Sequence, residues 1–155
     1  DTTRSQLGHL LAILTDHLDV WEAMRADPSL VPSVVDESLR LRPTTTWSTR
    51  EVVEAFTFEG IALQKGETLH IFAHATAYAP DQTPAFQPFL RRKSHFAFGG
   101  GAHHCLGQGM ARADLAAFLR VFTQRFPRIK RAGRVEFGPQ SGNTGPVSLP
   151  LEFVG

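Results

Sequence analysis

The chain has 155 residues, and its 16 Lys and Arg against 15 Asp and Glu leave a formal net charge of +1. A charge so close to zero is not that of a protein that binds nucleic acid or an anionic membrane. Hydrophobic residues make up 42% and charged residues 20%, an ordinary globular composition that predicts a single domain with a packed core. One Cys excludes an internal disulfide and a zinc site built from Cys pairs. No apolar run approaches the length of a membrane span, so we expect a soluble, cytoplasmic protein.

Apolar spacing predicts three helices in the first quarter of the chain. Leucines recur three and four residues apart over residues 3–18, which is the pattern of an amphipathic helix. A second, short helix is expected from Asp19, which can cap it, to Met24. Pro32 suits the first turn of a third helix, which Arg42-Pro43 ends.

The rest of the chain is predicted to be more irregular. β-Branched and aromatic residues over 46–72, with turn signals at Glu59-Gly60 and Lys65-Gly66, predict a small antiparallel sheet. Residues 80–94 lack periodicity and predict an irregular loop. A long helix is expected over 106–122, followed by turns and a short hairpin. The predicted fold class is mainly α with a small antiparallel β-sheet.

The strongest chemical signal is the glycine-rich segment from Phe98 to Gly107, which contains Cys105. A thiol directly before a helix lies where backbone N–H groups and the helix dipole favour a thiolate. Such a thiolate suits the axial position of a haem iron. Two other interpretations stay open here. The thiol could be a buried structural cysteine, or the loop could bind phosphate, although it lacks the Lys and Ser/Thr of a P-loop.

Three further motifs each allow a functional and an ordinary interpretation. Glu37 and Arg40 stand at i, i+3 and can form a salt bridge, but such a pair is usually exposed and of little energetic weight. Arg50, on a predicted strand, suits a carboxylate or is a plain surface residue. Asp1 and Thr2 could relay protons, or Asp1 could simply cap a helix.

Two candidates are weaker. His70 and His74 are four residues apart, but Ile follows His70 and the segment is partly strand-like, so a metal site is not favoured. The basic cluster 91–93 is either a solvated face or a docking surface for an acidic partner.

Taken together, these motifs resemble the cytochrome P450 family. The pattern Phe98-x-x-Gly101-x-x-x-Cys105-x-Gly107 matches the haem-binding signature of the family at every fixed position. Glu37-x-x-Arg40 resembles the motif of its K helix, and Asp1-Thr2 resembles the acid–alcohol pair of its I helix. The four motifs, Arg50 included, follow the order of the family.

The resemblance implies the C-terminal part of the P450 fold, with residues 1–155 as a single partial domain. It implies haem b as the cofactor and Cys105 as its proximal thiolate ligand, in a loop shaped by Phe98, Gly101 and Gly107. It also implies that His103 and Arg50 bind haem propionates. By the same resemblance Asp1 and Thr2 deliver protons, while Glu37 and Arg40 hold the scaffold.

The implied activity is that of a soluble, bacterial-type monooxygenase, which inserts one oxygen atom of O₂ into a small hydrophobic organic substrate. Electrons would come from NAD(P)H through a ferredoxin or flavodoxin and its reductase. The alternatives are a truncated haem-binding or structural remnant without monooxygenase activity, and a redox-partner or interaction module.

The sequence departs from the family in two respects. Members are normally more than twice as long, and the first residue is Asp1 rather than Met, so we expect the N-terminal half of the fold to be absent. The meander, at 77–81 and 86–91, is abbreviated relative to the family pattern, which puts the packing of the Cys-loop surface in doubt.

Overall fold

The computed structural model of the protein describes residues 1–75, 85–90, 95–139 and 141–155. Its helices in these ranges are α1 (Thr2–Leu14), α2 (Leu18–Ala26), α3 (Val31–Leu41) and α4 (Gln108–Arg125). Its strands are β1 (Trp47–Glu51), β2 (Phe56–Phe58), β3 (Ile61–Leu63), β4 (Thr68–Phe72), β5 (Arg128–Arg131), β6 (Glu136–Phe137), β7 (Pro146–Ser148) and β8 (Leu151–Val154). The predicted fold class is confirmed. Most of the predicted loop 80–94, with the 77–81 part of the meander and the basic cluster 91–93, lies outside the described residues.

The four helices share one apolar core, in which α4 contacts each of the other three. Its fully buried side chains include Leu10, Leu14, Trp21, Met24, Val34 and Leu119. The indole N–H of Trp21 donates to the carbonyl of Phe126 at 3.0 Å, so this large side chain is buried with its polar atom paired. Burial of each such side chain is worth roughly 1.5–3 kcal/mol. The core therefore fixes the relative positions of α1, α3 and α4, which carry the candidate site.

The first predicted helix ends earlier than its leucine spacing suggests. α1 stops at Leu14, and the hydroxyl of Thr15 then donates back to the carbonyl of Ala12 at 2.8 Å. A separate helix, α2, begins at Leu18, which is 39% exposed and does not extend the buried stripe. Asp19 consequently lies inside the first turn of α2, and its prediction as the cap is wrong. An acid in the first turn still interacts favourably with the helix dipole.

The antiparallel pairing predicted over 46–72 is confirmed, but it divides into two ribbons. β1 pairs with β4, and β2 pairs with β3. The β2–β3 turn uses Glu59 and Gly60, both with positive φ (48° and 81°), as a two-residue hairpin of the primed type requires. Because β1 is held by β4, the side chain of Arg50 is carried on a paired strand.

The C-terminal strands form a nested antiparallel hairpin, as predicted, with β5 against β8 and β6 against β7. The connection into β7 lies directly on α1. A Cβ at Gly8 would approach Pro146 Cγ to 2.6 Å, and one at Gly145 would approach Ser5 Cβ to 2.6 Å, so both contacts require glycine. None of the described helices combines the length and the apolar character needed to cross a bilayer.

Candidate active site

A cavity of about 470 Å³ lies between the first turns of α1, the segment that leads into β1, and the glycine-rich loop before α4. Its lining brings together Thr2, Thr3, Gln6, Trp47, Arg50, Phe98, Gly99, His103, Cys105, Gly107 and Met110. These residues come from three distant parts of the sequence. Six of them, Thr2, Arg50, Phe98, His103, Cys105 and Gly107, are predicted site residues, so the structure gathers most of the predicted set around one space.

The glycine-rich loop folds back on itself to present the thiol. The N–H of Cys105 donates to the carbonyl of Phe98 at 3.0 Å, which closes the loop. Gly99 and Gly101 have φ values of +72° and +65°, which L side chains rarely adopt. Cys105 is exposed, so the interpretation as a buried structural cysteine is wrong.

The thiol lies beside the start of α4, where Gly107 occupies the N-cap position. A Cβ added to Gly107 would stand 3.9 Å from the sulfur, in ordinary van der Waals contact. The first N–H groups of a helix lack intrahelical partners and carry the positive end of its dipole. The thiol of Cys105 therefore lies next to the N-terminus of the 18-residue helix that follows it.

The two residues of the predicted acid–alcohol pair have different places. Thr2 lines the cavity, together with Thr3. Asp1 does not line it. Asp1 is exposed at the N-cap position of α1, where its side chain makes no capping hydrogen bond.

Two basic side chains, Arg50 and His103, also line the cavity. Both are exposed, and Arg50 Nη1 donates to the backbone carbonyl of Thr49 at 2.7 Å. Gly101 is exposed and does not line the cavity, so its contribution is the backbone conformation of the loop.

Glu37 and Arg40 form a buried, two-point ion pair within α3. Arg40 donates from Nε to Glu37 Oε2 at 2.6 Å and from Nη2 to Oε1 at 2.8 Å, and both side chains are about 95% shielded from solvent. The interpretation as an exposed pair is therefore wrong. Glu37 also accepts from the N–H of Gln87 at 2.9 Å, and Arg40 donates to the carbonyl of Ala85 at 3.2 Å. The pair thus ties α3 to the described segment 85–90, away from the cavity lining.

Gln6, which sequence analysis missed, joins three parts of the structure. Its Nε2 donates to Ser38 Oγ and to the carbonyl of Arg42, both at 3.1 Å. Its Oε1 accepts from the N–H of Thr44 at 2.9 Å and from the Thr44 hydroxyl at 3.1 Å. Gln6 is four residues after Thr2 and four before the buried Leu10, so a polar residue within the apolar stripe was the available signal.

A second missed cluster lies behind the glycine-rich loop. Asp36 accepts from Arg112 Nε at 2.9 Å and lies 3.4 Å from His95 Nε2. The hydrogen bond from His95, followed by that from Arg112, lowers the pKa of Asp36, although burial opposes the shift. Asp36 and Arg112 are polar residues on predicted helices, but that pattern does not identify the partner of either residue.

A second groove, of about 1000 Å³, lies between α1 and the C-terminal loop and contains none of the residues predicted to bind haem. It includes His9, which is 5% exposed and whose Nε2 is 3.1 Å from the carbonyl of Thr144. The Nδ1 of His9 is buried and has no hydrogen-bond partner among the residues that the structure describes. Burial lowers the pKa of His9, and the charge of Arg42 adds to this, against the opposing effect of the Thr144 carbonyl.

The two histidines weighed as metal ligands lie on and after a strand. His70 belongs to β4, where it is paired with Thr49 and meets the ring of Trp47 edge-on at 6.3 Å. His74 packs edge-on against Phe72 at 6.0 Å. Among the residues that the structure describes, no three His, Cys, Asp or Glu side chains are grouped as a metal site.

Comparison with known proteins assigns the family. The sequence model described as cytochrome P450 matches residues 10–136. The chain therefore belongs to the cytochrome P450 family, as its motifs predict.

Similar proteins are bacterial members of this family. Luteothin monooxygenase of Streptomyces thioluteus is 31% identical over 158 residues, which cover 99% of this chain and 39% of that protein. Steroid C26-monooxygenase of Mycolicibacterium smegmatis is 30% identical over 161 residues, with the same two coverages. A solved cytochrome P450 from Chondromyces apiculatus is 29% identical, with a TM-score of 0.91 over 99% of this chain and 41% of that one. The fold is thus part of the P450 fold, and the chain spans about two-fifths of the length of these relatives.

Proposed function

We propose that this chain is the haem-binding part of a monooxygenase that inserts one oxygen atom of O₂ into a small hydrophobic organic substrate. The observation that carries the proposal is that Cys105 and Thr2 line the same cavity. A metal-binding thiolate and a proton-carrying hydroxyl on one space are the groups that this reaction needs from the protein.

The residues present fit a haem. The cavity volume of about 470 Å³ is within the range of cofactor pockets, and its walls include the apolar side chains of Leu39, Phe98, Met110 and Leu115. One end offers a thiol beside a helix N-terminus. A guanidinium from Arg50 and an imidazole from His103 can pair with two carboxylates. This donor set matches a flat apolar macrocycle that has an axial metal site and two acidic substituents.

Each residue then has a distinct task. When bound, haem would supply the iron at which O₂ is reduced and activated. Cys105, which lies next to the N-terminus of α4, would hold the iron as a thiolate. Arg50 and His103 would bind and orient the propionates. Thr2 would hold and pass a proton at its hydroxyl oxygen, with Asp1 as the proposed source of that proton.

The substrate and the electron donors are further parts of the proposal. The small hydrophobic substrate is proposed from the family and from the names of its members. The names of two relatives refer to luteothin and to the C26 position of steroids, and steroids are small hydrophobic organic molecules. Electrons would come from NAD(P)H through a ferredoxin or flavodoxin and its reductase, in the cytoplasm.

The remnant interpretation stays a second candidate, because Met110 and Phe96 border the cavity and are 73% and 53% exposed. Walls so open to solvent do not exclude water from a reaction. This candidate predicts that haem binds without substrate oxidation.

Isotope labelling tests the reaction class. The purified protein, loaded with haem and supplied with a surrogate ferredoxin and reductase, is incubated under ¹⁸O₂ with a steroid and a long-chain fatty acid as probes. Mass spectrometry should find one labelled oxygen in the product. A product whose new oxygen comes from water would contradict the proposal, and haem binding without product would favour the remnant.

A further inference from the structure

Arg112 of α4 lies against Phe98, the residue that begins the glycine-rich loop. The guanidinium carbon is 4.6 Å from the centroid of the Phe98 ring, within the range of a cation–π contact. Phe98 lines the cavity and its carbonyl accepts the hydrogen bond from the N–H of Cys105 at 3.0 Å. Arg112 does not line the cavity. Arg112 therefore contacts the loop through Phe98, which both lines the cavity and binds the backbone N–H of Cys105.

The guanidinium is held in place by two hydrogen bonds and a further ion-pair contact. Nε of Arg112 donates to Asp36 Oδ1 at 2.9 Å and Nη2 lies 2.9 Å from the same oxygen, which links α4 to α3. Nη1 donates to Gln108 Oε1 at 2.9 Å, one turn earlier on the same helix. A planar group fixed at three nitrogens keeps one orientation, so it presents a rigid face to the ring of Phe98.

The same carboxylate also organises the segment before the loop. His95 is 6% exposed, with Nε2 3.4 Å from Asp36 Oδ1. Its Nδ1 accepts from the N–H of Ala97 at 3.2 Å. Asp36 therefore contacts both His95, in the segment that leads to Phe98, and Arg112, which packs on the ring of Phe98.

We propose that Arg112 is a positioning residue for the thiol of Cys105. Anchored by Asp36, it fixes the ring of Phe98 and thereby the Phe98–Cys105 hydrogen bond that closes the loop. Its positive charge also stands behind the ring, where it acts on any charged group in the cavity. The positioning of the loop by Arg112 does not depend on haem, whereas the effect of its charge rests on the proposed haem function.

Hydrogen exchange of the Cys105 amide tests the loop claim without haem. In Arg112→Met, which keeps side-chain length and removes the charge and plane, we expect this amide to exchange roughly 2- to 30-fold faster, the range for loss of one cation–π contact. Arg120→Met, at an exposed arginine of the same helix, is the matched control and should leave the rate unchanged. In a Phe98→Leu background, Arg112→Met should add nothing. Equal rates in the wild type and Arg112→Met, or an undiminished effect without the ring, would overturn the proposal.

The reduction potential of bound haem tests the charge claim. Loss of a positive charge near the metal favours its oxidised form, so Arg112→Met should lower the midpoint potential relative to Arg120→Met. A purely structural role would change the exchange rate and leave the potential unchanged, which would overturn the charge claim. If the wild-type protein binds no haem, the proposed function fails, while the exchange experiment still decides the loop claim.

Discussion

At the scale of single residues, His9 joins the packing of α1 to that of the C-terminal loop. Its ring stacks on Phe137 with centroids 5.7 Å apart, and its Nε2 reaches the carbonyl of Thr144. The N–H of Thr144 in turn donates to the carbonyl of Thr44, which lines the cavity, at 2.7 Å. His9 is therefore linked through Thr144 to a residue of the cavity wall.

The stability of the protein should fall as the pH falls below the ordinary pKa of histidine. Burial lowers the pKa of His9 from 6.5, so below about pH 6.5 the unfolded chain binds a proton more readily at His9 than the folded chain does. The stability contributed by neutral His9 is present above about pH 6.5 and is lost below it, with a slope of at most about 1.4 kcal/mol per pH unit. Urea unfolding from pH 7.5 to 5 measures this slope.

The control for this experiment is His9→Gln, which keeps a side-chain N–H donor for the Thr144 carbonyl and does not titrate. Its stability should depend less steeply on pH than that of the wild type. Identical slopes in the two proteins would show that His9 is not the group responsible.

The residues that sequence analysis missed share one physical feature. Gln6, His9 and Arg112 all lie on helices, and their importance comes from partners that are far away in the sequence, such as Thr44, Thr144 and Asp36. Periodicity can show that a polar residue stands on a buried face, but it cannot name the group that satisfies it. By contrast, Glu37 and Arg40 were predicted because both partners lie within one helical turn.

At the scale of elements, α3 supports the surrounding loops through its buried ion pair. Glu37→Gln should cost about 3–5 kcal/mol in the free energy of unfolding, because it leaves the Arg40 charge buried and unneutralised. Lys130→Met breaks an exposed pair with Glu152, whose side chains are 57% and 52% exposed, and should cost about 1 kcal/mol or less. Denaturant unfolding compares the two, and similar losses would contradict a special role for the pair.

Helix starts and turns were predicted correctly where the residue that determines them lies at that position in the sequence. Pro32 in the first turn of α3 and the Glu59-Gly60 turn were predicted correctly, because proline and glycine act on their own backbone. The end of α1 and the cap of α2 were not. The spacing of Leu14 and Leu18 fits one helix, and the break between them appears only when Leu18 is seen to be exposed.

At the scale of the whole molecule, the cavity is a product of tertiary structure. Its walls come from the start of α1, Leu39 of α3, residues 44–50, Ala73 and residues 96–115, which the helical core brings together. Sequence motifs predicted which residues belong to one site, because the order of the motifs matched a known family. They did not predict that Thr2 lines the cavity while Asp1 does not, since that depends on how α1 packs against the loop.

The central claim is that Cys105 ligates a haem in this cavity. The most direct test is the absorption spectrum of the haem-loaded, reduced and carbon-monoxide-bound protein, recorded beside that of Cys105→Ser. We expect a strongly red-shifted Soret band in the wild type that is absent from the variant, because a thiolate donates more electron density to the iron than a hydroxyl group does. A red-shifted band that persists in Cys105→Ser, or no such band in a folded wild-type protein, would contradict the account.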